Sequence, residues 1–387
     1  MRFPEFSGEW NKYTINDLAT VVGGGTPDTT VKSYWGGDIQ WFTPSEIGKN
    51  KYVDFSKRTI TRDGLDNSSA KLLPLHTILL SSRATVGECS IASNECTTNQ
   101  GFQSLIAKQC NIDFLYYLIQ TKKKDLIRNA CGSTFLEISA NEIRKIKVAV
   151  PVQNEQEQIA KLLSLIDERI ATQNKIIYKL KSLIRGIMVE LQKRGLSNGT
   201  WKKVLLSNVL TERNELNKSL YPVYSVSVIQ GIVNQMEYLG RSFAASDTSK
   251  YHVVHYGDLV YTKSPTGSFP YGIIKQSYNQ NEVAVSPLYG VYEPKTFSTG
   301  VFLHEYFKSE LNTLNYLHPL VQKGAKNTIN IANQRFLESY VAIPSNANEL
   351  LAISKLLCSL NTKLEFLQNI LKQSQGQKQY LLRQMFI

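Results

Sequence analysis

The sequence predicts an α+β fold: two mixed α/β domains separated by two long antiparallel coiled-coil helices, in a pseudo-two-fold internal repeat. Two observations lead to this prediction. The 387-residue chain nearly repeats itself, because a segment that begins at Trp10 is matched by a segment that begins at Trp201. Each copy is followed by a long stretch whose apolar residues step by three and four positions, as in a coiled coil. One such helix alone cannot bury its apolar stripe, so the two are expected to pair.

The repeat unit is a whole domain followed by a helix. Solenoid repeats run about 20 to 50 residues, and the copies here are much longer. Ile15 in the first copy corresponds to Leu206 in the second, and Ile138 corresponds to Ile331. The predicted boundaries are 1–152 for the first domain, 153–193 for the first long helix, 194–200 for a linker, 201–346 for the second domain and 347–387 for the second long helix.

The first domain has many turn-forming residues near its start, at 23–27 and 35–38. An apolar run at 77–80 indicates a strand. A helix is predicted over 112–128, with apolar residues on one face and lysines on the other. These lysines favour a solvated face, with phosphate contact as the alternative.

The first long helix carries an apolar seam that only Gln173 interrupts. The seam residues are Ile159, Leu163, Ile166, Ile170, Ile177, Leu180, Ile184, Ile187 and Leu191. At a rise of 1.5 Å per residue the seam is about 50 Å long. The glycine-containing stretch 195–199 is expected to end the helix.

The second domain shows strand signals at 223–228 and at 259–262, and its segment 257–261 corresponds to 76–80 in the first copy. The second seam consists of Ile353, Leu357, Leu360, Leu364, Leu367 and Leu371. It is expected to weaken around Ser374 and Lys378. Pairing of the two helices within one chain is favoured, and pairing of each with another subunit is the alternative. Because the first domain starts almost at once, little N-terminal sequence is expected to pack against the second helix.

The composition favours a basic, cytoplasmic protein. The formal net charge of +12 and the pI of about 9.3 indicate nucleic acid as a partner, with a merely soluble basic protein as the alternative. The five cysteines lack the paired spacing of a zinc site and are expected to be free thiols in a reducing compartment. The N-terminus resembles no signal peptide, and we find no apolar run of about 18 residues, so no membrane is expected.

The sequence carries none of the usual catalytic signatures. We find no phosphate loop that ends in Gly-Lys-Ser/Thr, and the three glycines at 23–25 precede Thr-Pro rather than a helix. His252 and His255 lack the helical spacing of a zinc protease. A base-holding Asn/Asp-Pro-Pro-aromatic loop of adenine methyltransferases is also missing. We therefore expect a non-catalytic chain with no metal and no cofactor of its own.

Several short motifs recur in a fixed order within the two copies. The first copy contains Gly24-Gly25-Thr26-Pro27, Tyr34-Trp35-Gly36-Gly37-Asp38-Ile39-Gln40-Trp41, Leu80-Ser81-Ser82-Arg83-Ala84-Thr85-Val86-Gly87 and Thr98-Asn99-Gln100-Gly101-Phe102. The second contains Tyr224-Ser225-Val226-Ser227, Tyr251-His252-Val253-Val254, Gly257-Asp258-Leu259-Val260-Tyr261 and Val285-Ser286-Pro287. With the duplication and the two helices, these motifs resemble the specificity (S) subunit of type I restriction-modification systems over essentially the whole chain. The copies resemble two different subtypes of its target recognition domain.

The resemblance implies a division of labour among subunits. Each target recognition domain would read one half of an asymmetric bipartite site on double-stranded DNA. The expected partners are two methyltransferase (M) subunits, which bring S-adenosylmethionine for adenine methylation, and two restriction (R) subunits, which use ATP and Mg²⁺ for cleavage. The helix pair would set the gap between the half-sites.

Base reading requires hydrogen-bonding side chains on loops that reach a groove of the DNA. In the first domain the candidates are Thr26, Trp41, Thr43, Ser45, Ser82, Arg83, Asn99, Gln100 and Ser133. In the second domain they are Ser225, Ser227, Gln230, Lys263, Ser264, Tyr271, Lys326 and Asn327. For each residue taken singly, a turn or strand-end role is the alternative. Arg83 and Lys263 stand out because they occupy comparable places after matched strands.

Two other classes of function compete with this interpretation. One is a self-sufficient modification enzyme or nuclease, which the missing catalytic signatures disfavour. The other is a protein scaffold whose duplicated domains grip proteins rather than DNA.

Overall fold

The structure, a computed structural model, describes residues 2–132, 135–241, 244–323 and 329–386. The chain forms two compact units. Unit 1 contains Met1–Asn174 and Asn369–Ile387, and unit 2 contains Lys175–Gln368. Each unit therefore combines one mixed α/β domain with one segment of each long helix. No helix within the described ranges is sufficiently long and apolar to span a bilayer.

The first copy of the repeat contains ten strands and six α-helices among the residues described. The strands are β1 Asn11–Thr14, β2 Ala19–Gly23, β3 Trp35–Phe42, β4 Tyr52–Val53, β5 Arg58–Ile60, β6 Ile78–Leu80, β7 Cys89–Ala92, β8 Cys96–Thr98, β9 Gln103–Ala107 and β10 Lys147–Val150. The helices are α1 Ile15–Leu18, α2 Arg62–Asp66, α3 Ile112–Thr121, α4 Lys123–Arg128, α5 Ala140–Lys145 and the long α6 Gln153–Ser197. Short 3₁₀ helices lie at Lys32–Tyr34 and Pro44–Glu46.

Unit 1 is built on a five-stranded sheet in the order β2-β9-β6-β7-β4. A smaller sheet, β5-β3-β8, and the antiparallel pair β1-β10 complete the domain. The side chains of Ile78 and Leu105 meet across β6 and β9 and are fully buried with Phe114 of α3. This core fixes the ends of β2, β6 and β9, and the loops after β2, after β6 and before β9 carry five of the nine predicted contact residues of this domain.

The predicted helix over 112–128 is two helices that meet at Lys122. The side chain of Asn111 caps α3 by accepting a hydrogen bond from the backbone N–H of Phe114 at 3.0 Å. Lys122 has φ −89° and ψ 6°, which interrupts the α-helical geometry before α4 begins. The helices bury the run 114–119 and Leu126, and the lysines 122–124 lie at the junction.

The second copy contains twelve strands and five α-helices among the residues described. The strands are β11 Trp201–Leu205, β12 Leu210–Glu212, β13 Tyr224–Ser227, β14 Gly231–Asn234, β15 His252–Val254, β16 Leu259–Tyr261, β17 Ile274–Gln276, β18 Val283–Val285, β19 Gly290–Pro294, β20 Gln322–Lys323, β21 Ile329–Asn330 and β22 Tyr340–Pro344. The helices are α7 Gln235–Leu239, α8 Phe297–Tyr306, α9 Glu310–Leu317, α10 Asn333–Phe336 and the long α11 Ala347–Met385. Short 3₁₀ helices lie at Leu206–Asn208 and His318–Leu320.

The main sheet of unit 2 has the strand order β12-β19-β16-β17, the same relative order as β2-β9-β6-β7 in unit 1. The antiparallel pair β11-β22 likewise corresponds to β1-β10. The predicted strands at 223–228 and 259–262 are present as β13 and β16. The two units differ around this shared sheet, because β3 pairs with β8 in a parallel sense whereas β15 pairs with β18 antiparallel.

The same tryptophan–glutamate contact ties each domain to the long helix that follows it. The indole N–H of Trp10 donates to Glu155 at 3.3 Å, and that of Trp201 donates to Glu349 at 2.8 Å. In unit 1, Arg2 adds two 2.6 Å contacts to the fully buried Glu155. A buried carboxylate is stable only when donors of this kind surround it.

The N-terminal segment, which is short as expected, packs against the end of the second long helix. Trp10 contacts Phe386 of unit 1 edge-on, with ring centroids 6.3 Å apart, and Phe386 stacks on Phe114 at 5.2 Å. Phe3 packs against the same core. The short N-terminal segment is therefore sufficient to cover the end of α11.

Helix α6 ends at Ser197, within the predicted stretch 195–199 and beyond the predicted helix boundary at 193. A Cβ at position 195 would lie 2.2 Å from the Trp201 ring, so glycine is needed there for close packing rather than for a break. The chain turns at Gly199, whose φ of +68° lies in the left-handed region.

The two apolar seams pack against each other within each unit. In unit 1, Ile159, Leu163 and Ile166 of α6 share a core with Leu381 and Met385 of α11. In unit 2, the buried residues are Leu180, Ile184 and Met188 of α6 and Leu350, Ile353 and Leu357 of α11. Met188 takes the buried position predicted for Ile187, because the straight helix drifts relative to a 3.5-residue repeat.

Helix α11 is continuous to Met385 through the polar positions at which the seam was expected to weaken. Ser374 is 3% exposed. Lys378 forms a 2.7 Å ion pair with Asp167 of α6, and Asp167 also accepts a 2.7 Å hydrogen bond from the hydroxyl of Tyr117. The polar positions in the seam are therefore accommodated by partners. Residue 167 of α6 pairs with residue 378 of α11, and Trp10 contacts both residue 155 of α6 and residue 386 just after α11, so the two segments run antiparallel in unit 1.

Unit 2 buries a positive charge beside α8. The side chain of Lys275 in β17 is 6% exposed, and burial lowers its pKa to about 8. The charge of Lys308 lowers it further, whereas Glu305 opposes the shift. His304 is buried in the same cluster, accepts a 2.9 Å hydrogen bond from the backbone N–H of Gln276, and has a lowered pKa because it is desolvated.

We expect Lys275→Met to stabilise the protein at neutral pH by on the order of 2 kcal/mol, since it removes a desolvated charge. The folded pKa of Lys275 lies below the unfolded value, so the unfolded chain binds more protons between about pH 8 and the ordinary lysine pKa. The destabilisation that the buried Lys275 charge causes in the wild type therefore declines as the pH rises through this window. Urea unfolding at pH 7 and pH 9.5 measures both effects. Lys295→Met, at an exposed lysine, is the control, and a gain that does not change with pH would contradict the assignment.

We expect Leu163→Ala to destabilise unit 1 by about 2–5 kcal/mol, because Leu163 is fully buried in the seam. Leu165→Ala is the matched control on the same helix, since Leu165 is 55% exposed, and it is expected to change stability by less than about 0.5 kcal/mol. Urea unfolding followed by tryptophan fluorescence gives both values. Equal effects of the two substitutions would exclude a seam at this position.

Candidate nucleic-acid interface

Four loops of unit 1 meet beside the ends of β2, β3, β6 and β9, and they are defined here as the reading edge: residues 24–30, 43–46, 81–88 and 98–102. The backbone N–H of Gly25 donates to the Thr98 carbonyl at 2.8 Å, and that of Asn99 donates to the Phe42 carbonyl at 3.1 Å. Ser82 donates its backbone N–H to the Gly101 carbonyl at 2.8 Å. These bonds join loops that are distant in sequence into one surface.

Two glycines make this convergence possible. A Cβ at Gly24 would lie 2.0 Å from the Asn99 carbonyl oxygen, and a Cβ at Gly25 would lie 2.3 Å from the Ala70 backbone nitrogen. Any side chain at either position would push the loops apart. The turn that the sequence indicated at 23–27 is therefore a site of close backbone approach.

The loops of the reading edge contain seven of the predicted contact residues, and five of these form hydrogen bonds near the surface. The hydroxyl of Thr26 hydrogen-bonds to Gln100. The hydroxyl of Thr43 donates to Glu46 at 2.6 Å and lies 3.1 Å from that of Ser45. Asn99 accepts the backbone N–H of Gly101 at 2.9 Å. Ser45 and Gln100 are exposed, and the other three are half-buried, so all five combine polar atoms with access to solvent.

Arg83 lies on the same edge and pairs with a residue that the sequence did not indicate. Its Nη2 is 2.8 Å and 2.7 Å from the two carboxylate oxygens of Glu137. The side chains of Arg83 and Glu137 are 43% and 42% exposed. Ala84 follows with φ +63°, a left-handed conformation that is uncommon for a non-glycine residue and marks a tightly constrained loop.

Two predicted residues of this domain are buried beneath the edge. Trp41 is 4% exposed, and its indole N–H donates to the Gly25 carbonyl at 2.9 Å. Its ring meets Trp35 edge-on at 5.0 Å, and the Arg58 guanidinium lies 3.6 Å above Trp35. Ser82 is fully buried, and its hydroxyl has no hydrogen-bond partner among the residues described. In this conformation both residues support the loops from below and do not present themselves to a ligand.

In unit 2 the loop after β16 carries three predicted residues, Lys263, Ser264 and Tyr271. Lys263 is half-buried, has φ +59°, and has a pKa that burial lowers, with Glu212 opposing the shift. Ser264 is exposed. Tyr271 packs against His318 with ring centroids 5.9 Å apart. Lys263 and Arg83 thus both occur in strained loops that follow corresponding strands.

The remaining candidates of unit 2 with known positions belong to a different hairpin, β13-β14. The hydroxyl of Ser227 accepts the backbone N–H groups of Ile229 and Gln230, both at 3.3 Å, and Ser227 is 8% exposed. Ser225 accepts a 3.1 Å hydrogen bond from Gln235, whereas Gln230 is exposed at the tip. Ser225 and Ser227 thus shape the hairpin. The predicted residues Ser133, Lys326 and Asn327 lie outside the described residues.

A large groove of about 1300 Å³ lies in unit 1, between the loops 48–52 and 87–89, α3, α4 and the two long helices. Three lysines in it are neutralised by ion pairs: Lys51 with Asp113 at 2.7 Å, Lys378 with Asp167 at 2.7 Å, and Lys123 with Glu88. Four further basic residues line the groove without an ion pair in the described part of the chain, namely Lys49, Lys122, Lys124 and Arg383. Apolar groups are present as well, including Tyr52 and Ile127, which are 45% and 40% exposed.

No group of three or more His, Cys, Asp or Glu residues within the described ranges is arranged to hold a metal ion. All five cysteines are free thiols, and of these Cys131 alone is exposed. Cys131 exchanges two 2.9 Å backbone hydrogen bonds with Glu137, so it lies beside the reading edge. Burial raises the pKa of Cys89, Cys96 and Cys110 to about 12.

Residues 7–182, which contain the reading edge, match the family model described as the type I restriction modification DNA specificity domain. This match covers less than half of the chain, so the first domain is similar to that family. The chain is 39% identical over 183 residues to the type I restriction enzyme MjaIX specificity subunit of Methanocaldococcus jannaschii. This match covers 44% of this chain and 42% of the relative. The EcoR124I/EcoR124II specificity subunit of Escherichia coli is 28% identical over 175 residues, which cover 43% of each chain. The chain is therefore matched over less than half the length of these relatives.

The fold of the whole chain is similar to that of a solved type I S subunit. The crystal structure of the type I restriction-modification system S subunit from M. genitalium covers 100% of this chain and 99% of its own, with a TM-score of 0.62 and 15% sequence identity. At this identity the likeness concerns the fold alone. The predicted resemblance to type I specificity subunits is confirmed, and such subunits are non-catalytic and carry no cofactor of their own.

Sequence reasoning missed Glu137 and Arg58. Both act through contacts between segments that are far apart in the chain, Glu137 with Arg83 and Arg58 with Trp35. The two tryptophans at 35 and 41 were a usable signal for a stacked cation, since arginine often packs on the face of a tryptophan ring. Nothing near Glu137 in sequence indicates its partner.

Proposed function

We propose that this chain is the sequence-specific DNA-binding subunit of a type I restriction-modification complex. Each unit acts as a target recognition domain that reads one half of an asymmetric bipartite site on double-stranded DNA. The domain boundaries 1–152 and 201–346, with spacer helices at 153–193 and 347–387 and a linker at 194–200, remain our prediction for this division. The proposed compartment is the cytoplasm, where the DNA and the partner subunits are available.

The observation that best supports DNA reading is the convergence of polar loops at one edge of a domain of the specificity family. Arginine suits guanine, and asparagine or glutamine suits adenine, because their paired donors and acceptors match the major-groove edges of these bases. Arg83, Asn99 and Gln100 supply these groups on the reading edge. The net charge of +12 adds a sequence-independent attraction to phosphate.

The two half-sites are expected to differ. Unit 1 offers arginine, asparagine and glutamine on its reading edge, whereas unit 2 offers Lys263, Ser264 and Gln230 on two separate loops. Lys326, Asn327 and Ser133 remain predicted contacts. Since readout depends on the donors and acceptors that are presented, these two sets favour different bases.

The long helices are the proposed spacer. A helix of 45 residues, the length of α6, extends about 68 Å at 1.5 Å per residue. Two reading modules contact the same face of DNA when their half-sites lie about one turn apart, roughly 34–36 Å. We propose that the helix pair α6 and α11 sets the gap between the half-sites.

The proposed partners supply the chemistry. Two M subunits would bring S-adenosylmethionine and methylate adenine, and two R subunits would bring ATP and Mg²⁺ for cleavage. One M subunit per repeat follows from the duplication. We propose that the groove of unit 1 receives an acidic, partly apolar segment of an M subunit, because its unpaired basic residues and its exposed Tyr52 and Ile127 match that chemistry.

The competing functions remain distinguishable. A self-sufficient methyltransferase or nuclease would modify DNA when assayed as the isolated chain. A protein scaffold would bind partner proteins without any preference among DNA sequences.

The deciding experiment is selection from a randomised double-stranded DNA library by the complex of this chain with its M subunit. We expect two short, different sequence elements separated by a gap of fixed length, and methylated adenines in both. The isolated chain should methylate nothing. Enrichment of no sequence, or of a single undivided element, would overturn the proposed function.

The groove assignment predicts that Lys122→Glu with Lys124→Glu removes one of two bound M subunits, because the reversed charges repel an acidic segment. Lys12→Glu with Lys147→Glu is the matched control, since both lysines are exposed in unit 1 and lie outside the groove. Mass photometry of the copurified complex counts the M subunits per chain. Retention of two M subunits by the groove variant, or equal loss in the control, would refute the docking site.

A further inference from the structure

The ion pair between Arg83 and Glu137 joins two segments at the reading edge. Nη2 of Arg83 contacts both carboxylate oxygens of Glu137, at 2.8 Å and 2.7 Å. The backbones of these residues also form an antiparallel bridge, and Ile138 donates its N–H to the Ser82 carbonyl at 2.9 Å. The two side chains therefore sit side by side on a frame that backbone hydrogen bonds already hold.

The pair is poorly explained as a device for stability. Both side chains are more than two-fifths exposed, at 43% and 42%, and exposed ion pairs contribute little to folding because water screens them. The backbone bonds among residues 82, 131, 137 and 138 connect the segments without the side chains. The charged groups are thus available for a ligand.

A carboxylate beside the guanidinium also limits which part of DNA the pair can meet. A phosphate placed against Arg83 would approach Glu137, and like charges at that distance repel. A base edge carries no net charge, and its donors and acceptors can satisfy both side chains together. The arrangement therefore favours a base contact over a backbone contact.

We propose that Arg83 and Glu137 form one donor–acceptor reader for guanine and cytosine in the first half-site. This inference rests on the proposed function and deepens it. The guanidinium carries five N–H donors and contacts Glu137 through Nη2 only, so donors remain for O6 and N7 of guanine. The carboxylate has about four acceptor positions, and one of them accepts the N4 amino group of cytosine.

The geometry also assigns Glu137 a positioning role. Arginine has several rotatable bonds, and a partner that holds its planar head reduces the entropy lost on binding. The left-handed Ala84 restrains the backbone directly after Arg83. The side chain of Arg83 is therefore held in one orientation before DNA binds.

The test is library selection with the chain–M complex of the wild type, Glu137→Ala, Glu137→Gln and Arg83→Ala. We expect Glu137→Ala and Arg83→Ala each to lower the preference for guanine or cytosine at the same one or two positions of one half-site by about 5- to 100-fold. The other half-site should be unchanged. Glu137→Gln should admit adenine at the cytosine position, because an amide pairs with adenine. A double variant that combines Arg83→Ala with Glu137→Ala should lose no more base preference than the stronger single variant, since the two residues act as one reader.

Glu142→Ala removes a carboxylate from another exposed ion pair of the same domain, with Lys145, and should leave the selected sequence as in the wild type. Unchanged M binding by Glu137→Gln shows that loss of selectivity is not loss of fold. An unaltered selected sequence with tighter binding to every DNA would show that Glu137 is only a repelling charge, and it would overturn the inference. Failure of the wild type to select any sequence would instead overturn the proposed function, and this inference with it.

Discussion

The burial of two long apolar stripes is the constraint on which the rest of the structure depends. Neither α6 nor α11 can remain exposed along its seam, and each covers the other within both units while also closing the core of the adjoining domain. The charged positions in this seam are tolerated because they are paired: Lys378 with Asp167, and Asp167 with Tyr117. Burying a charge without a partner would be far more costly. The helices are thus part of the domain cores as well as connectors.

Close approach of the backbone determines the arrangement of the reading edge. Its loops approach one another because residues 24 and 25 have no side chains, and the resulting hydrogen bonds leave polar side chains directed outwards. Trp41 and Ser82 support these loops from inside. Residues that sequence motifs single out therefore divide into those that form the surface and those that hold it in place. Only the first group is available to read a base.

The architecture was predictable because it arises from periodic patterns. The duplication, the seams, and strands β6, β13 and β16 all follow from spacings of apolar residues along the chain. The details depend on tertiary contacts. Gly195 lies in the helix, beyond the boundary predicted at 193, and Trp201 packs on it, while Lys378 is accommodated in the seam by its ion pair with Asp167. The Arg83–Glu137 pair could not be anticipated, since 54 positions separate its members and no periodicity links them.

The environment of Cys131 has a practical consequence. It is the exposed thiol of the chain, whereas burial raises the pKa values of Cys89, Cys96 and Cys110 and keeps them unreactive. Its backbone bonds directly to Glu137. A maleimide dye would therefore attach with little competition beside the loops of unit 1, and its emission would report occupancy of that surface without any engineered cysteine.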